Sequence, residues 1–100
     1  MSELFTCGRW QVAPGKEDEF VAAWRELADW TSTSISGAGW AKLLRDRENP
    51  NVFLSFGRWD SMGALQEWRS AGGFTERIGK MRGLLEDFEA KILETTAEIE

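Results

Sequence analysis

The chain has 100 residues and carries 12 Lys and Arg against 17 Asp and Glu, which gives a net charge of −5 at pH 7. An acidic chain repels polyanions, so nucleic acid and acidic membrane surfaces are excluded as expected partners. It contains no His and no Tyr, and any chemistry therefore has to proceed without an imidazole or a phenol. The acidic residues show no spacing typical of a metal site, so we expect no bound metal. A chain of this length predicts one domain over residues 1–100.

The aromatic content is high for a chain of this size. The six Trp and six Phe are more than one small domain can easily bury, because such a domain leaves much of its apolar surface uncovered. We therefore expect the chain to associate with itself. No apolar run approaches the ~18 residues of a membrane span, and the N-terminus lacks a basic-then-apolar signal pattern. These features predict a soluble cytoplasmic protein.

The chain opens with a pattern typical of a strand followed by a helix. Residues 4–12 alternate in polarity and end at the Pro-Gly pair of residues 14–15, which predicts a strand and a turn. Residues 16–31 place apolar side chains at a spacing of three and four, which predicts a helix. The Ser/Thr run at residues 31–34 is expected to end it.

The middle of the chain predicts two strands and the start of a second helix. Residues 40–45 form a short predicted strand, and the polar run over residues 46–51 contains Asn-Pro, which indicates a turn. Residues 52–59 alternate as a third strand. Asp60 or Ser61 can then cap a helix, since both residue types accept a hydrogen bond from the first helical turn.

The end of the chain predicts a broken helix and a closing strand. The Gly-Gly pair at residues 72–73 should break the second helix, and a further piece continues at helical spacing as far as residue 85. The tail over residues 87–99 fits either a strand or a continuing helix. We expect a strand, because the fold otherwise lacks its closing element.

The tripeptide Gly-Arg-Trp occurs twice, at residues 8–10 and 57–59, and each copy precedes a predicted helix. A strand-helix unit used twice predicts an α+β fold, the ferredoxin-like split βαβ sandwich. We expect strands one and three to lie side by side and parallel, with Gly8 and Gly57 as neighbours beneath the helices. Because glycine weakens a central strand, something must approach the sheet closely there, either a large Trp from a helix or a ligand.

Several segments, taken in order and spacing, resemble the antibiotic biosynthesis monooxygenase family. They are Val-Ala-Pro-Gly-Lys-Glu at 12–17, Gly-Ala-Gly-Trp at 37–40, the hairpin at 45–50, Trp-Asp-Ser at 59–61, Ala-Leu at 64–65, and Phe74. The resemblance covers nearly the whole chain. It implies a dimeric α/β barrel in which two sheets pair, with a pocket between sheet and helices. The face left uncovered by the helices would form the interface, through Phe5, Cys7, Val52, Leu54 and Phe56.

The resemblance carries over to individual residues as follows. Trp59 matches a pocket Trp of family members that oxidise aromatic polyketides to quinones, but Ser55 and Leu65 replace their Asn and Tyr. Trp68 matches a Trp that contacts the porphyrin in haem-degrading members, whereas Ile78 replaces their axial His. We do not expect a haem enzyme of that type, because no imidazole is present to ligate the iron.

The resemblance implies a cofactor-independent monooxygenase that acts on a small aromatic, polyketide-like or phenolic substrate, works as a homodimer and binds no cofactor. We expect Gly8, Ser55, Gly57, Trp59 and Trp68 to bind the substrate. Indole N–H groups, the Ser55 hydroxyl and a nearby cation would stabilise a substrate anion; no residue is assigned as the general base. The alternatives are a ligand-binding or stress-response dimer of the same fold without catalysis, and an isomerase or cyclase.

Overall fold

The computed structural model describes residues 3–100 of the chain. In chain order its elements are β1 (Leu4–Val12), α1 (Glu17–Ser34), β2 (Ala38–Arg45), β3 (Val52–Trp59), α2 (Met62–Ser70), α3 (Gly72–Arg82) and β4 (Leu85–Glu94). The strands form one sheet, and the three helices pack on one face of it, here called the inner face. The predicted α+β, ferredoxin-like split βαβ sandwich is therefore confirmed. Among residues 3–100 no helix is both long and apolar enough to cross a membrane.

The sheet has the strand order β2-β3-β1-β4, and each pair of neighbouring strands is antiparallel. Strands β1 and β3 are adjacent, as predicted, but the prediction that they run parallel is wrong. Helix α1 returns the chain so that β2 runs parallel to β1, and the short hairpin after β2 then reverses β3. Because β3 inserts between β1 and β2, it opposes both of them.

The antiparallel register changes how the two glycines are placed. Gly8 lies opposite Ser55, and Gly57 lies opposite Thr6. The glycines share the inner face, as predicted, but they are diagonal neighbours and do not lie side by side. Each therefore has a hydroxyl-bearing residue as its direct cross-strand partner.

Helix α1 continues through the Ser/Thr run that was expected to end it. The Thr31 hydroxyl donates to the carbonyl of Leu27 at 2.7 Å, and the Ser32 and Thr33 hydroxyls donate to the carbonyl of Asp29 at 3.0 and 3.1 Å. Hydroxyls that bond back to the preceding turn are accommodated inside a helix. The helix ends only at Ser34, where Ile35 turns to extended backbone.

The second helical region is broken as expected, one residue before the Gly-Gly pair. Helix α2 begins after Ser61, whose hydroxyl accepts a hydrogen bond from the Ala64 amide at 3.1 Å. Extended Ala71 separates α2 from α3, and both glycines belong to the first turn of α3. A Cβ on Gly73 would lie 2.4 Å from the Trp30 ring, so this glycine allows α1 and α3 to pack closely. Helix α3 ends at Arg82, three residues before its predicted end. The tail forms strand β4, which ends at Glu94 and not at residue 99, and the alternative of a continuing helix is wrong.

The main core lies between the inner face of the sheet and helices α1 and α3. Phe20 of α1 is fully buried there, and its ring centroid lies 5.3 Å from that of Trp10 and 5.1 Å from that of Phe53. Ile78 and Met81 contribute the buried side of α3. A smaller cluster of Ile35, Trp59 and Leu65 holds α2 against the end of the sheet.

The hairpin between β2 and β3 is closed by Asp46. Its carboxylate accepts hydrogen bonds from the backbone amides of Glu48 and Asn49 at 2.8 and 3.2 Å. These bonds favour the ionised form and hold the pKa of Asp46 below its usual value. The Asp46 carboxylate thus holds the backbone of the turn in place.

The outer face of the sheet carries both apolar and charged side chains and is not covered by any element within residues 3–100. Leu54 pairs with Leu44 across β3 and β2, and Phe5 pairs with Leu93 across β1 and β4. Trp40 packs on Phe5 with ring centroids 5.9 Å apart and is still 49% exposed, while Leu44 is 50% exposed. Exposed large apolar side chains grouped on one face in this way are typical of an interaction site.

Candidate functional site

A cleft of about 600 Å³ lies between the helices and the inner face of the sheet. All five residues predicted to bind substrate line it, namely Gly8, Ser55, Gly57, Trp59 and Trp68. Its other aromatic lining residues include Trp10, Trp24, Phe74 and Phe88. A space with apolar aromatic walls and few polar groups is the usual form of a small-molecule site.

The floor of the cleft is built from the two Gly-Arg-Trp copies, which make the same contacts. The Trp10 indole Nε1 donates to the hydroxyl of Ser55 at 2.9 Å, and Ser55 lies opposite Gly8. The Trp59 indole Nε1 donates to the hydroxyl of Thr6 at 3.1 Å, and Thr6 lies opposite Gly57. In each case the indole folds back over the glycine two residues before it and bonds a hydroxyl on the neighbouring strand.

The glycines make room for these indoles. A Cβ on Gly8 would lie 2.8 Å from both Ser55 Oγ and Trp10 Nε1. A Cβ on Gly57 would lie 3.1 Å from Thr6 Oγ1 and 3.5 Å from Trp59 Nε1. The expected Trp therefore comes from the same strand as each glycine, and not from a helix.

We expect the two glycines to differ in their tolerance of alanine. Gly8→Ala places a methyl group against the Trp10–Ser55 hydrogen bond and should lower the free energy of unfolding by about 1–3 kcal/mol. Gly57→Ala meets looser contacts and should change it by less than about 1 kcal/mol. Urea unfolding followed by circular dichroism measures both values. Equal costs, or a larger cost at Gly57, would contradict the close packing described for Gly8.

Trp68 of α2 forms the side of the cleft opposite the sheet. Its indole Nε1 donates to the Thr31 hydroxyl at 2.8 Å, and its ring centroid lies 4.8 Å from that of Trp59 and 4.5 Å from that of Phe74. The indole N–H groups of Trp10, Trp59 and Trp68 are thus all engaged by protein hydroxyls. The expectation that indoles donate to the ligand is not supported by these contacts.

Two hydroxyls on the floor of the cleft retain a proton for a ligand. A hydroxyl has one donor hydrogen and two acceptor lone pairs, and Thr6 and Ser55 each accept one indole N–H. Among the hydrogen bonds of residues 3–100, neither hydroxyl acts as a donor. Thr31 differs, because its proton is already given to the Leu27 carbonyl.

The charged residues of the cleft are mostly arginines. Arg25, Arg69 and Arg82 line it from the three helices, and in the described part of the chain none of them forms an ion pair. Asp29 lines it as well. Arg77 lies elsewhere: its guanidinium carbon sits 5.0 Å from the centre of the Trp30 ring. Arg69 and Arg82 are therefore the arginines of the second helical region that face the cleft.

Arg58 also borders the cleft, but its guanidinium group lies on the outer face. It bonds the carboxylates of Glu3 and Asp60 within the same chain. The bond to Glu3 is the main cause that raises the pKa of Arg58. Its charge is already neutralised and is not available to a ligand.

Thr6 is a residue of the cleft floor that was not among the predicted substrate-binding residues. The signal was present in the chain: the repeat extends two residues further back, as Thr-Cys-Gly-Arg-Trp at 6–10 and Ser-Phe-Gly-Arg-Trp at 55–59. The equivalence of Thr6 and Ser55 becomes apparent only in the antiparallel register, where each hydroxyl faces the glycine of the other copy.

Several solved protein structures have the same fold as this chain. The chain is similar to SnoaB, a cofactor-independent oxygenase from Streptomyces nogalater, with 21% identity and a TM-score of 0.88 over 99% of this chain and 97% of that chain. It is similar to a conserved protein from Methanosarcina mazei Go1, with 21% identity and a TM-score of 0.83 over 93% and 92% of the two chains. A protein from Pseudomonas aeruginosa shares 20% identity, with a TM-score of 0.82 over 97% of each chain. At such identities the likeness shows the fold alone.

Comparison of the sequence identifies the family of the chain, which the structural likeness does not. No curated protein matches the chain. The family model described as antibiotic biosynthesis monooxygenase matches residues 5–79, which span β1 to most of α3. This match contains both Gly-Arg-Trp copies and the strands that form the floor of the cleft. The chain therefore belongs to the antibiotic biosynthesis monooxygenase family.

Proposed function

We propose that the protein is a cofactor-independent monooxygenase that oxidises a small aromatic, polyketide-like or phenolic substrate in the helix–sheet cleft. The observation that carries the proposal is the pairing of aromatic walls with two hydroxyl donors, Thr6 and Ser55, on the floor. Aromatic walls hold a planar ring and exclude water from it. Donors in such a dry site stabilise a developing oxyanion more strongly than water-exposed ones do.

The proposed reaction uses the electrons of the substrate. An anthrone-like substrate loses a proton to give its enolate, and the enolate passes one electron to O₂. The substrate radical and superoxide combine at the carbon that lost the proton. The resulting peroxide anion takes up a proton, and loss of water from this hydroperoxide leaves a carbonyl. One oxygen atom of O₂ thus enters the product and the other leaves as water.

The side chains of the cleft fit the first step of this reaction. The hydroxyls of Thr6 and Ser55 can donate to the enolate oxygen, and Arg69 or Arg82 supplies a positive charge. Because the chain has no His and no Tyr, neither an imidazole nor a phenolate removes the proton, and the proposed reaction draws on the fraction of the substrate that ionises in water. The protein then acts by holding the anion and not by removing the proton.

The test is oxygen uptake with anthrone and 1-naphthol, in the absence of added metal or flavin. We expect turnover well above the rate in buffer, and Ser55→Ala should lower kcat by about 10²–10³ because it removes a donor to the oxyanion. Ser70→Ala is the matched control, since this exposed hydroxyl lies on α2 and donates to the Gln66 carbonyl.

Two results would contradict the proposed function. Oxygen uptake no faster than in buffer across such substrates would exclude oxygenation of this class. Turnover that requires added flavin or iron would indicate a different mechanism. Equal loss of activity in Ser55→Ala and Ser70→Ala would remove the assigned role of Ser55.

A second candidate is a non-catalytic ligand-binding protein that keeps the cleft. It is favoured by one observation on Leu65, which stands where the quinone-forming enzymes resembled by the chain have a pocket Tyr. Leu65 is 1% exposed, packs against Ile35 and Trp59, and does not itself line the cleft. Ligand binding without oxygen uptake would select this candidate. An isomerase or cyclase has no observation of its own in its favour.

We also propose that the working form is a homodimer, in which the outer faces of two sheets pair as a dimeric α/β barrel. The proposal is supported by the exposed apolar side chains of that face, which include Trp40, Leu44, Leu54 and Leu93. An obligate interface of this kind buries on the order of 2,000 Å² or more. It would leave the cleft on the inner face open to a ligand.

A further inference from the structure

We infer that a second groove, between α1 and the edge strand β2, binds an oxyanion group, a carboxylate or a phosphate, that the ligand of the cleft carries on a flexible linker. Arg25 and Arg45 hold this group. The inference rests on the proposed function only in taking the cleft as the site of the aromatic ring. It adds a binding site outside the cleft and names a second chemical group on the ligand.

The second groove is a space of about 480 Å³ next to the cleft. On α1 it is lined by Asp18 and Val21, which precede the part of the helix that lines the cleft. On β2 it continues to Leu43 and Arg45. None of these four residues lines the cleft, so the groove is a separate space.

The cleft and the second groove meet at three residues. Trp24 and Arg25 of α1 and Ala41 of β2 line both spaces. Ala41 carries only a methyl group, so no long side chain blocks the sheet side of this junction. A flexible linker attached to a ring in the cleft can therefore pass over Ala41 into the groove.

The groove presents two arginines that no carboxylate neutralises. Arg25 and Arg45 are both exposed, and within residues 3–100 neither forms an ion pair. The guanidinium carbon of Arg45 lies 4.7 Å from the centre of the Phe53 ring, which holds the group in place on the inner face. A guanidinium held in this way presents its fork of N–H donors to carboxylate or phosphate oxygens.

The other charged groups of the groove do not cancel the two arginines. Asp18 is the only carboxylate among the described residues that line it. Lys42 also lines it, but its ammonium nitrogen lies 5.8 Å from the centre of the Trp40 ring, and Trp40 packs on Phe5 of the outer face. The groove is thus locally positive on a chain whose net charge is −5, and it attracts an anion.

The position of Arg45 determines how long the linker has to be. Ala41 and Arg45 are four residues apart on β2, which corresponds to about 13 Å along a strand. An oxyanion bound directly to the ring therefore stays in the cleft. Only a group on a linker of several methylenes reaches Arg45, so the effect of Arg45 on affinity should depend on linker length.

The test uses four 2-naphthyl probes that differ in linker and end group: 2-naphthylacetate, 6-(2-naphthyl)hexanoate, the matched 6-(2-naphthyl)hexanamide and 5-(2-naphthyl)pentyl phosphate. Affinity is measured by isothermal titration calorimetry. We expect the hexanoate to bind about 3- to 10-fold more tightly than the hexanamide, because only the carboxylate pairs with a guanidinium. Arg45→Gln should remove this difference, and Arg45→Lys should keep part of it. Arg47→Gln is the matched control, at an exposed position that lines neither space.

The same probes give three further readouts. The affinity of 2-naphthylacetate should be equal in the wild-type protein and Arg45→Gln, because its carboxylate does not reach the groove. Added NaCl should weaken binding of the hexanoate and leave the hexanamide unchanged, since ion pairs of exposed groups are screened by salt. The pentyl phosphate distinguishes the two oxyanions: the one that loses more affinity in Arg45→Gln is the one that the groove prefers.

The contrary outcomes separate the inference from the proposed function. Equal affinity of the hexanoate and the hexanamide for the wild-type protein would overturn the inference and leave the cleft as the ring site. If Arg45→Gln weakens both probes equally, Arg45 only packs on Phe53 and the inference fails. If no probe binds, both the inference and the use of the cleft for aromatic ligands fail. Arg45-dependent binding by a protein that takes up no oxygen would support the inference and remove the proposed oxygenation.

Discussion

Replacing Phe20 with alanine is expected to lower the free energy of unfolding by about 3–5 kcal/mol. Phe20 is fully buried, and its ring bridges Trp10 of β1 and Phe53 of β3 while being held by α1. The variant therefore loses the transfer free energy of a whole ring and leaves a cavity between rigid strands, which cannot collapse to fill it. A protein of this size has a total stability of roughly 5–15 kcal/mol, so one substitution removes a large part of it.

Chemical denaturation followed by circular dichroism and by Trp fluorescence measures this effect. Ile99→Ala is the control, because Ile99 is 97% exposed and its truncation should leave the unfolding midpoint unchanged. A loss below about 1 kcal/mol for Phe20→Ala would show that the site repacks, contrary to the close contacts described.

Introducing two carboxylates on the outer face is expected to abolish the proposed dimer. Leu44 and Leu54 face each other across β2 and β3 and are 50% and 37% exposed. In a paired-sheet dimer Leu44→Glu with Leu54→Glu would bury four charges without partners, and the desolvation cost of such charges exceeds what an apolar interface contributes. The wild-type protein should have twice the chain mass of 11.3 kDa, and the double variant should have that mass once.

Light scattering coupled to size exclusion at micromolar concentration measures both masses. The charge-matched control is Ala22→Glu with Gln66→Glu, at exposed positions on helices α1 and α2, and it should keep the wild-type mass. A wild-type mass of one chain would defeat the homodimer proposal. A double variant that keeps twice the chain mass would place the interface elsewhere on the molecule.

Local signals in the sequence located most of the elements. The bounds of β1 and β3 agree with the predicted strands at 4–12 and 52–59, since strict alternation followed by turn residues is a signal contained within each strand. The cap at Ser61 was equally local, because its hydroxyl bonds an amide three residues later. The end of α1 was misplaced for the opposite reason: whether a Ser/Thr run stops a helix depends on where its hydroxyls find acceptors.

The direction of β3 relative to β1 could not be read from either strand alone. Their composition and alternation are compatible with both directions, and only the path of the chain through α1 and the hairpin decides between them. The prediction that β3 runs parallel to β1 also affected the predicted site. It placed Gly8 and Gly57 directly side by side, so the pairing of Gly57 with Thr6 was not predicted.

The sequence by itself determined the fold class and the family. Alternation placed Gly8, Ser55, Gly57 and Trp59 on one face of the two predicted strands. The resemblance to the family marked Ser55, Trp59 and Trp68 as pocket positions. The tertiary structure decided what occupies that space and which polar groups remain. The Trp10–Ser55 and Trp59–Thr6 hydrogen bonds join residues 45 and 53 positions apart. Contacts at such separations are fixed by strand register, which no local pattern specifies. The paired hydroxyls of the cleft floor are therefore a property of the folded sheet.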